Sequence, residues 1–102
     1  MVLLEFSMSP MDKGESLSPY VSRIIDVIDR SDITYRLTAM GTILEGDYDE
    51  VMVVVRDCFK ELERDCKRIS VNLKMDYRNG SQSRLDSKIN KIETLLKREI
   101  KK

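Results

Sequence analysis

Residues 69–77 read Ile-Ser-Val-Asn-Leu-Lys-Met-Asp-Tyr, and this strict alternation constrains the fold more than any other segment. Successive side chains on an extended strand point to opposite faces. Ile69, Val71, Leu73, Met75 and Tyr77 therefore share one face, and Ser70, Asn72, Lys74 and Asp76 share the other. A helix would scatter both sets around its axis. The chain must contain a sheet with one apolar face, to be covered, and one polar face.

Other segments extend this sheet. Residues 2–8 set Val2, Leu4, Phe6 and Met8 against Leu3, Glu5 and Ser7, and Ser9-Pro10 predicts the strand end. Ile33, Tyr35, Leu37 and Ala39 alternate with Thr34, Arg36, Thr38 and Met40 in a second strand. A turn is expected at Met40-Gly41-Thr42, with Gly41 at positive φ, followed by a short third strand over 42–45. Between the strands the apolar period lengthens to three or four residues, which marks helices. Val21, Ile24, Ile25 and Ile28 stripe the first, which Ser18 should cap with Pro19 behind it. Val51, Val54, Val55, Cys58, Phe59 and Leu62 stripe the second, opened by Asp47 and Glu50 as a variant capping box. Asn79-Gly80 closes the last strand, and a third helix is expected over 84–101, striped by Leu85, Ile89, Ile92, Leu96 and Ile100.

The resulting order, β-α-β-β-α-β-α, predicts an α+β fold: a ferredoxin-like βαββαβ antiparallel sheet of order 4-1-3-2 with an added C-terminal helix. The 102 residues are expected to form a single domain, 1–102, with residues 84–101 an appended helix. A domain this small buries a limited share of its surface, and self-association is a natural way to bury more.

Composition narrows the function. Hydrophobic residues at 41% and charged residues at 35% describe a folded chain rather than a disordered one. No apolar run approaches the ~20 residues that span a bilayer, and residues 1–6 carry an acid and no basic leader. A cytoplasmic protein without membrane contact is expected. Net charge is zero, yet residues 84–102 hold seven Lys/Arg and three Asp/Glu. Because acids and an apolar stripe interrupt that basic excess, a solvated helix is expected rather than a nucleic-acid arm. Cys58 and Cys66, eight apart on one helix, would lie about 12 Å apart, too far for a disulfide. Without histidine, a glycine-rich phosphate loop, a CxxC pair or a nucleophile elbow, nothing selects catalysis, a metal site or a cofactor.

The informative feature is the sheet face opposite the helices. It would display Glu5, Ser7, Arg36, Thr38, Glu45, Ser70, Asn72, Lys74 and Asp76, with Leu3 and Ile43 as apolar spots. Such a surface suits a flat polar heterocycle, or the sheet of another subunit. The end of the first strand, the start of the first helix and the turn at 40–42 should also meet at one sheet edge. That would gather Ser9, Ser16, Ser18 and Thr42 beside helix N–H groups that attract anions.

The run Ser16-Leu17-Ser18-Pro19-Tyr20-Val21, the segment Tyr35-Arg36-Leu37-Thr38-Ala39-Met40-Gly41-Thr42, and the pairs Glu45-Gly46 and Asp49-Glu50-Val51 resemble the thiamine-binding-protein family, small ferredoxin-like proteins long filed as conserved proteins of unknown function. Lys74-Met75-Asp76-Tyr77-Arg78 resembles that family's last strand. The resemblance implies non-catalytic binding of thiamine or its hydroxymethylpyrimidine part by a homo-oligomer. Dimers would join through sheet edges and pair into a homotetramer. Thr42, Glu45 and Ser18 fall in the matching motifs. Glu5 or Glu45 would neutralise the thiazolium, and Asn72, Ser7 or Thr38 would match the aminopyrimidine, with Lys74 beside them on the same face. A phosphate on the ligand would take the Ser18 end. The alternative reading is a structural or regulatory assembly module without a small-molecule ligand.

Overall fold

The computed structural model describes residues 1–101. Its elements in chain order are β1 (Val2–Pro10), α1 (Ser18–Arg30), β2 (Thr34–Thr38), β3 (Gly41–Gly46), α2 (Tyr48–Glu63), β4 (Ile69–Tyr77) and α3 (Ser87–Leu96). The four strands form one sheet of order β2-β3-β1-β4 with every neighbouring pair antiparallel. This is the ferredoxin-like arrangement that the alternation and right-handed crossovers predict. Among the described residues no helix is long and apolar enough to cross a membrane.

The core forms because β1 is central and apolar at every second residue. Val2, Leu4, Phe6 and Met8 are buried beneath α1 and α2, with Leu44 of β3 beside Leu4. Ile24 and Ile28 close the layer from α1, and Val51, Val54, Cys58 and Leu62 close it from α2. Burying one such aliphatic side chain contributes about 1.5–3 kcal/mol, so this layer holds the helices on one face. Arg23 of α1 then bridges to α2, donating to the Glu61 carbonyl at 2.7 Å and to both carboxylate oxygens of Asp65 at 3.0 Å. Cys58 and Cys66 are buried free thiols, and burial pushes Cys58 up to about 12.

Several local expectations are corrected. β1 ends at Pro10, two residues beyond the expected 2–8: Ser9 and Pro10 still pair with Ser70 and Ile69, because a proline at a strand end removes no needed ladder donor. The β2–β3 turn is Ala39-Met40, and Gly41 opens β3 without a positive φ. Its requirement is space: a Cβ there would lie 2.8 Å from the Phe6 carbonyl oxygen. Leu17, not Ser18, is the N-cap of α1, and Ser18 is its first helical residue with no capping side-chain bond. Asp47 does precede α2 in extended conformation, but its carboxylate makes no capping bond either. The last helix is shorter than 84–101. Lys97 turns into the left-handed region at φ 58° and ends it, while residues 83 and 84 are bound to the sheet instead of entering it.

Candidate functional site

The strands differ in length, and that difference builds the cavity. β1 pairs with β3 only as far as Phe6 opposite Thr42, whereas it pairs with β4 as far as Pro10. Residues 7–10 therefore leave one backbone edge without a strand partner. Buried backbone polar groups need partners, so an edge left open inside an apolar hollow invites a ligand or water. The Ala39-Met40 turn of the β2–β3 hairpin and the inner face of α1 enclose this gap. The resulting cavity of about 180 Å³ is walled by Phe6, Met8, Val21, Ile24, Ile25 and Leu37, and besides Thr38, which is bonded within the turn, Ser7, Ser9 and Thr42 are its hydroxyl-bearing residues. None of these three hydroxyls hydrogen-bonds to another described residue.

A second hollow of about 180 Å³ adjoins the first, sharing Phe6, Ser7 and Met40. It opens on the polar sheet face, where Glu5, Asn72 and Lys74 line it. Register explains the grouping, since Glu5 lies opposite Lys74 and Ser7 opposite Asn72 across the β1–β4 ladder. One hollow is thus apolar with hydroxyl groups, and its neighbour carries a carboxylate, an amide and an ammonium. Among the described residues, no three His, Cys, Asp or Glu side chains are grouped to hold a metal ion.

A family model described as "Thiamine-binding protein" matches residues 4–93. The chain belongs to the thiamine-binding protein family. A UPF0045 protein of Methanocaldococcus jannaschii is 34% identical over 94 residues, which cover 92% of this chain and 94% of that one. A UPF0045 protein of Mycobacterium bovis is 33% identical over 98 residues, covering 95% and 96%. The crystal structure of the M. jannaschii protein superposes with a TM-score of 0.81 over 89% of this chain and 94% of that chain. A Thermotoga maritima protein, assigned provisionally to thiamine biosynthesis or salvage, is 25% identical with a TM-score of 0.77, covering 89% and 97%.

In this member of the thiamine-binding protein family, the polar residues singled out in the sequence separate into four places. Ser7 and Thr42 line the apolar cavity, and Glu5, Ser7, Asn72 and Lys74 line its neighbour. Thr38 also lines the apolar cavity, but its hydroxyl is committed to the turn: it donates to the Gly41 carbonyl at 2.8 Å and accepts the Met40 N–H at 3.2 Å. Ser18 is exposed at the helix start and lines neither hollow, and Ser16 is likewise exposed and absent from both.

Glu45 stands apart from both hollows. It is 4% exposed, not displayed on an open face. Ser83 Oγ–H donates to its Oε1 and the Arg84 backbone N–H to its Oε2, both at 2.6 Å. Arg84 continues the attachment by donating to Asp76 Oδ2 at 2.5 Å and to the Asp76 carbonyl at 3.0 Å. Arg36 reaches Asp86, at the start of α3, at 2.7 Å. The segment after β4 thereby covers one end of the polar face, and Glu45 is its anchor.

The apolar walls of the cavity have no signature of their own in the sequence. Val21, Ile24 and Ile25 were legible as the inner stripe of α1, but a stripe shows that a face is turned inward, not that part of it borders a hollow.

Proposed function

We propose that this protein binds thiamine or a related hydroxymethylpyrimidine without catalysing its conversion, and does so as a homo-oligomer. The observation that carries the reading is the apolar cavity beside the unpaired backbone edge of residues 7–10, with Ser7, Ser9 and Thr42, whose hydroxyls bond to no other described residue, among its lining. Ligand sites combine apolar walls with a few polar groups that fix orientation. Drug-sized ligands occupy roughly 300–1,000 Å³, so about 180 Å³ suits a single heteroaromatic ring with its substituents. The aminopyrimidine offers donors and acceptors to the hydroxyls, and the flat ring lies between Phe6, Ile25 and Leu37. The thiazolium then falls in the adjoining hollow, where the Glu5 carboxylate offsets its fixed charge. Membership of a family named for thiamine binding supports the same ligand class.

Calorimetric titration with thiamine and with the uncharged pyrimidine alcohol tests this. Saturable binding of both is expected, with Thr42→Val weakening both and Glu5→Gln weakening thiamine more. Absence of heat and of any thermal shift at millimolar ligand would refute the assignment, and equal losses from Glu5→Gln would reject the charge pairing.

Self-association is supported by β4, a nine-residue edge strand. Its Val71, Leu73 and Tyr77 are 40%, 42% and 64% exposed although they share the helix-side register with Phe6 and Val2. Exposed apolar edge strands template pairing with another chain. Sedimentation should find a species larger than one chain; a monomer at micromolar concentration would contradict it. The same feature favours the assembly-module reading if no ligand binds.

A further inference from the structure

We propose a second ligand site, for a phosphate-bearing small anion, in the concavity between the end of β4 and the start of α3. The concavity measures about 150 Å³, and three cationic side chains, Arg78, Arg84 and Lys91, line it together with Asn79, Gln82 and Ser83. No carboxylate lines it. The neighbouring acids all have partners: Arg84 Nη1 donates to Asp76 at 2.5 Å, Glu45 accepts from Ser83 Oγ–H and the Arg84 N–H, and Asp86 pairs with Arg36, while Arg78 approaches Asp76 only to 3.9 Å. The lining itself therefore carries cations and no anion, and Arg78 and Lys91 are the cations not held by a close carboxylate. Lys91 and the amides of Asn79 and Gln82 hydrogen-bond to no other described residue, so they are available to an incoming oxyanion. The concavity also borders Ser87, the first residue of the ten-residue α3, where the helix dipole adds partial positive charge.

Donor geometry and size set the ligand class. A phosphoryl group offers several acceptor oxygens, and guanidinium, ammonium and amide donors converging on one small space match it. The concavity holds one such group and not an extended strand, and its lining has no aromatic ring on which a base would stack. This is also not the phosphate end of a ligand seated in the pyrimidine cavity. That cavity borders residues 6–9 of β1, whereas the Arg78 N–H and the Met1 carbonyl meet at the strand's other end. At ~3.3 Å per residue the two places lie roughly 20 Å apart.

An anion at this place would act on the tether. Ser83 and Arg84 line the concavity and also hold Glu45, so occupation fastens the segment that leads into α3.

The test is an amide-resolved NMR titration of the full chain with inorganic phosphate and with pyrophosphate, ionic strength being held constant with chloride. Saturable shifts are expected at Gly80, Ser83, Arg84 and Ser87 with either anion. Arg78→Gln and Lys91→Gln, both at exposed positions, should each weaken binding on the order of tenfold, the loss expected for a charge-assisted contact. Thiamine titrations of the same two variants should match the parent protein, which separates this site from the pyrimidine cavity. Shifts that do not saturate, shifts reproduced by chloride alone, or unchanged affinity in both variants overturn the proposal. So does a single-stranded oligonucleotide that binds more tightly than pyrophosphate with shifts spread along α3, since that outcome assigns the cations to nucleic acid.

Discussion

Replacing Glu45 with alanine removes the group that holds the C-terminal segment against the sheet. The buried carboxylate accepts two hydrogen bonds at 2.6 Å, from Ser83 Oγ–H and the Arg84 N–H. A hydrogen bond to a charged acceptor contributes about 1.5–3 kcal/mol. The two donors are part-buried and regain some solvation when the acceptor is lost, so we take about 2 kcal/mol for the pair together. The loss is local because no residue of α3 is buried: opening the segment exposes little of the core. Amide exchange reports such openings residue by residue. In Glu45→Ala, exchange at Arg84 and along α3 should accelerate roughly 30-fold, the ratio equivalent to 2 kcal/mol. Leu4, Phe6 and Leu44, in the strands beneath the helices, should keep their protection. Unchanged exchange at Arg84 and Asn90 would refute the anchoring role. Equal acceleration throughout the sheet would refute its local character.

Further outcomes follow from the packing and the charges. Gly41→Ala places a Cβ 2.8 Å from the Phe6 carbonyl oxygen, so the β1–β3 pair must shift; urea unfolding should show a loss of about 1–3 kcal/mol, and undiminished stability would contradict the close approach. Leu4→Ala, at a fully buried position, should cost about 2–5 kcal/mol in the same measurement. The Arg23 guanidinium holds the carboxyl of Asp65 below its ordinary range, and Arg64 and Arg23 do the same for Glu61. A depressed folded-state value means stabilisation present above the unfolded value and lost as pH falls through the folded one. Thermal unfolding of Arg23→Gln should thus fall below the parent at neutral pH and converge with it in acid; a constant difference at all pH would contradict the ion pair. Burial raises both thiols, Cys58 to about 12, so folded protein at pH 8 should resist iodoacetamide, and alkylation of Cys58 at the rate of a free thiol would refute that burial.

The sheet and its order were legible because alternation is a direct consequence of strand geometry, and the 69–77 and 2–8 runs state it without ambiguity. The cavity was half legible. Thr42 was expected at the sheet edge and Ser7 on the open sheet face, but the hollow itself depends on β1 outrunning β3. That is a difference in pairing length that no single segment encodes. Glu45 shows the opposite failure. Period-2 alternation puts it correctly on the face away from the helices, yet local pattern cannot tell that Ser83 and Arg84, almost forty positions later, return to bury it. Ser18 illustrates a third case: a serine before a proline reads as a cap, while the backbone begins the helix one residue earlier, from Leu17. Thr38 reads as a free hydroxyl until the two-residue turn is placed beside it.

The most direct test of the central assignment is an amide-resolved NMR titration of the full chain with thiamine. Saturable shifts are expected at Ser7, Ser9, Met40 and Thr42, the residues around the cavity between β1, the β2–β3 turn and α1. Saturable shifts confined to other surfaces, or none at millimolar thiamine, would contradict it.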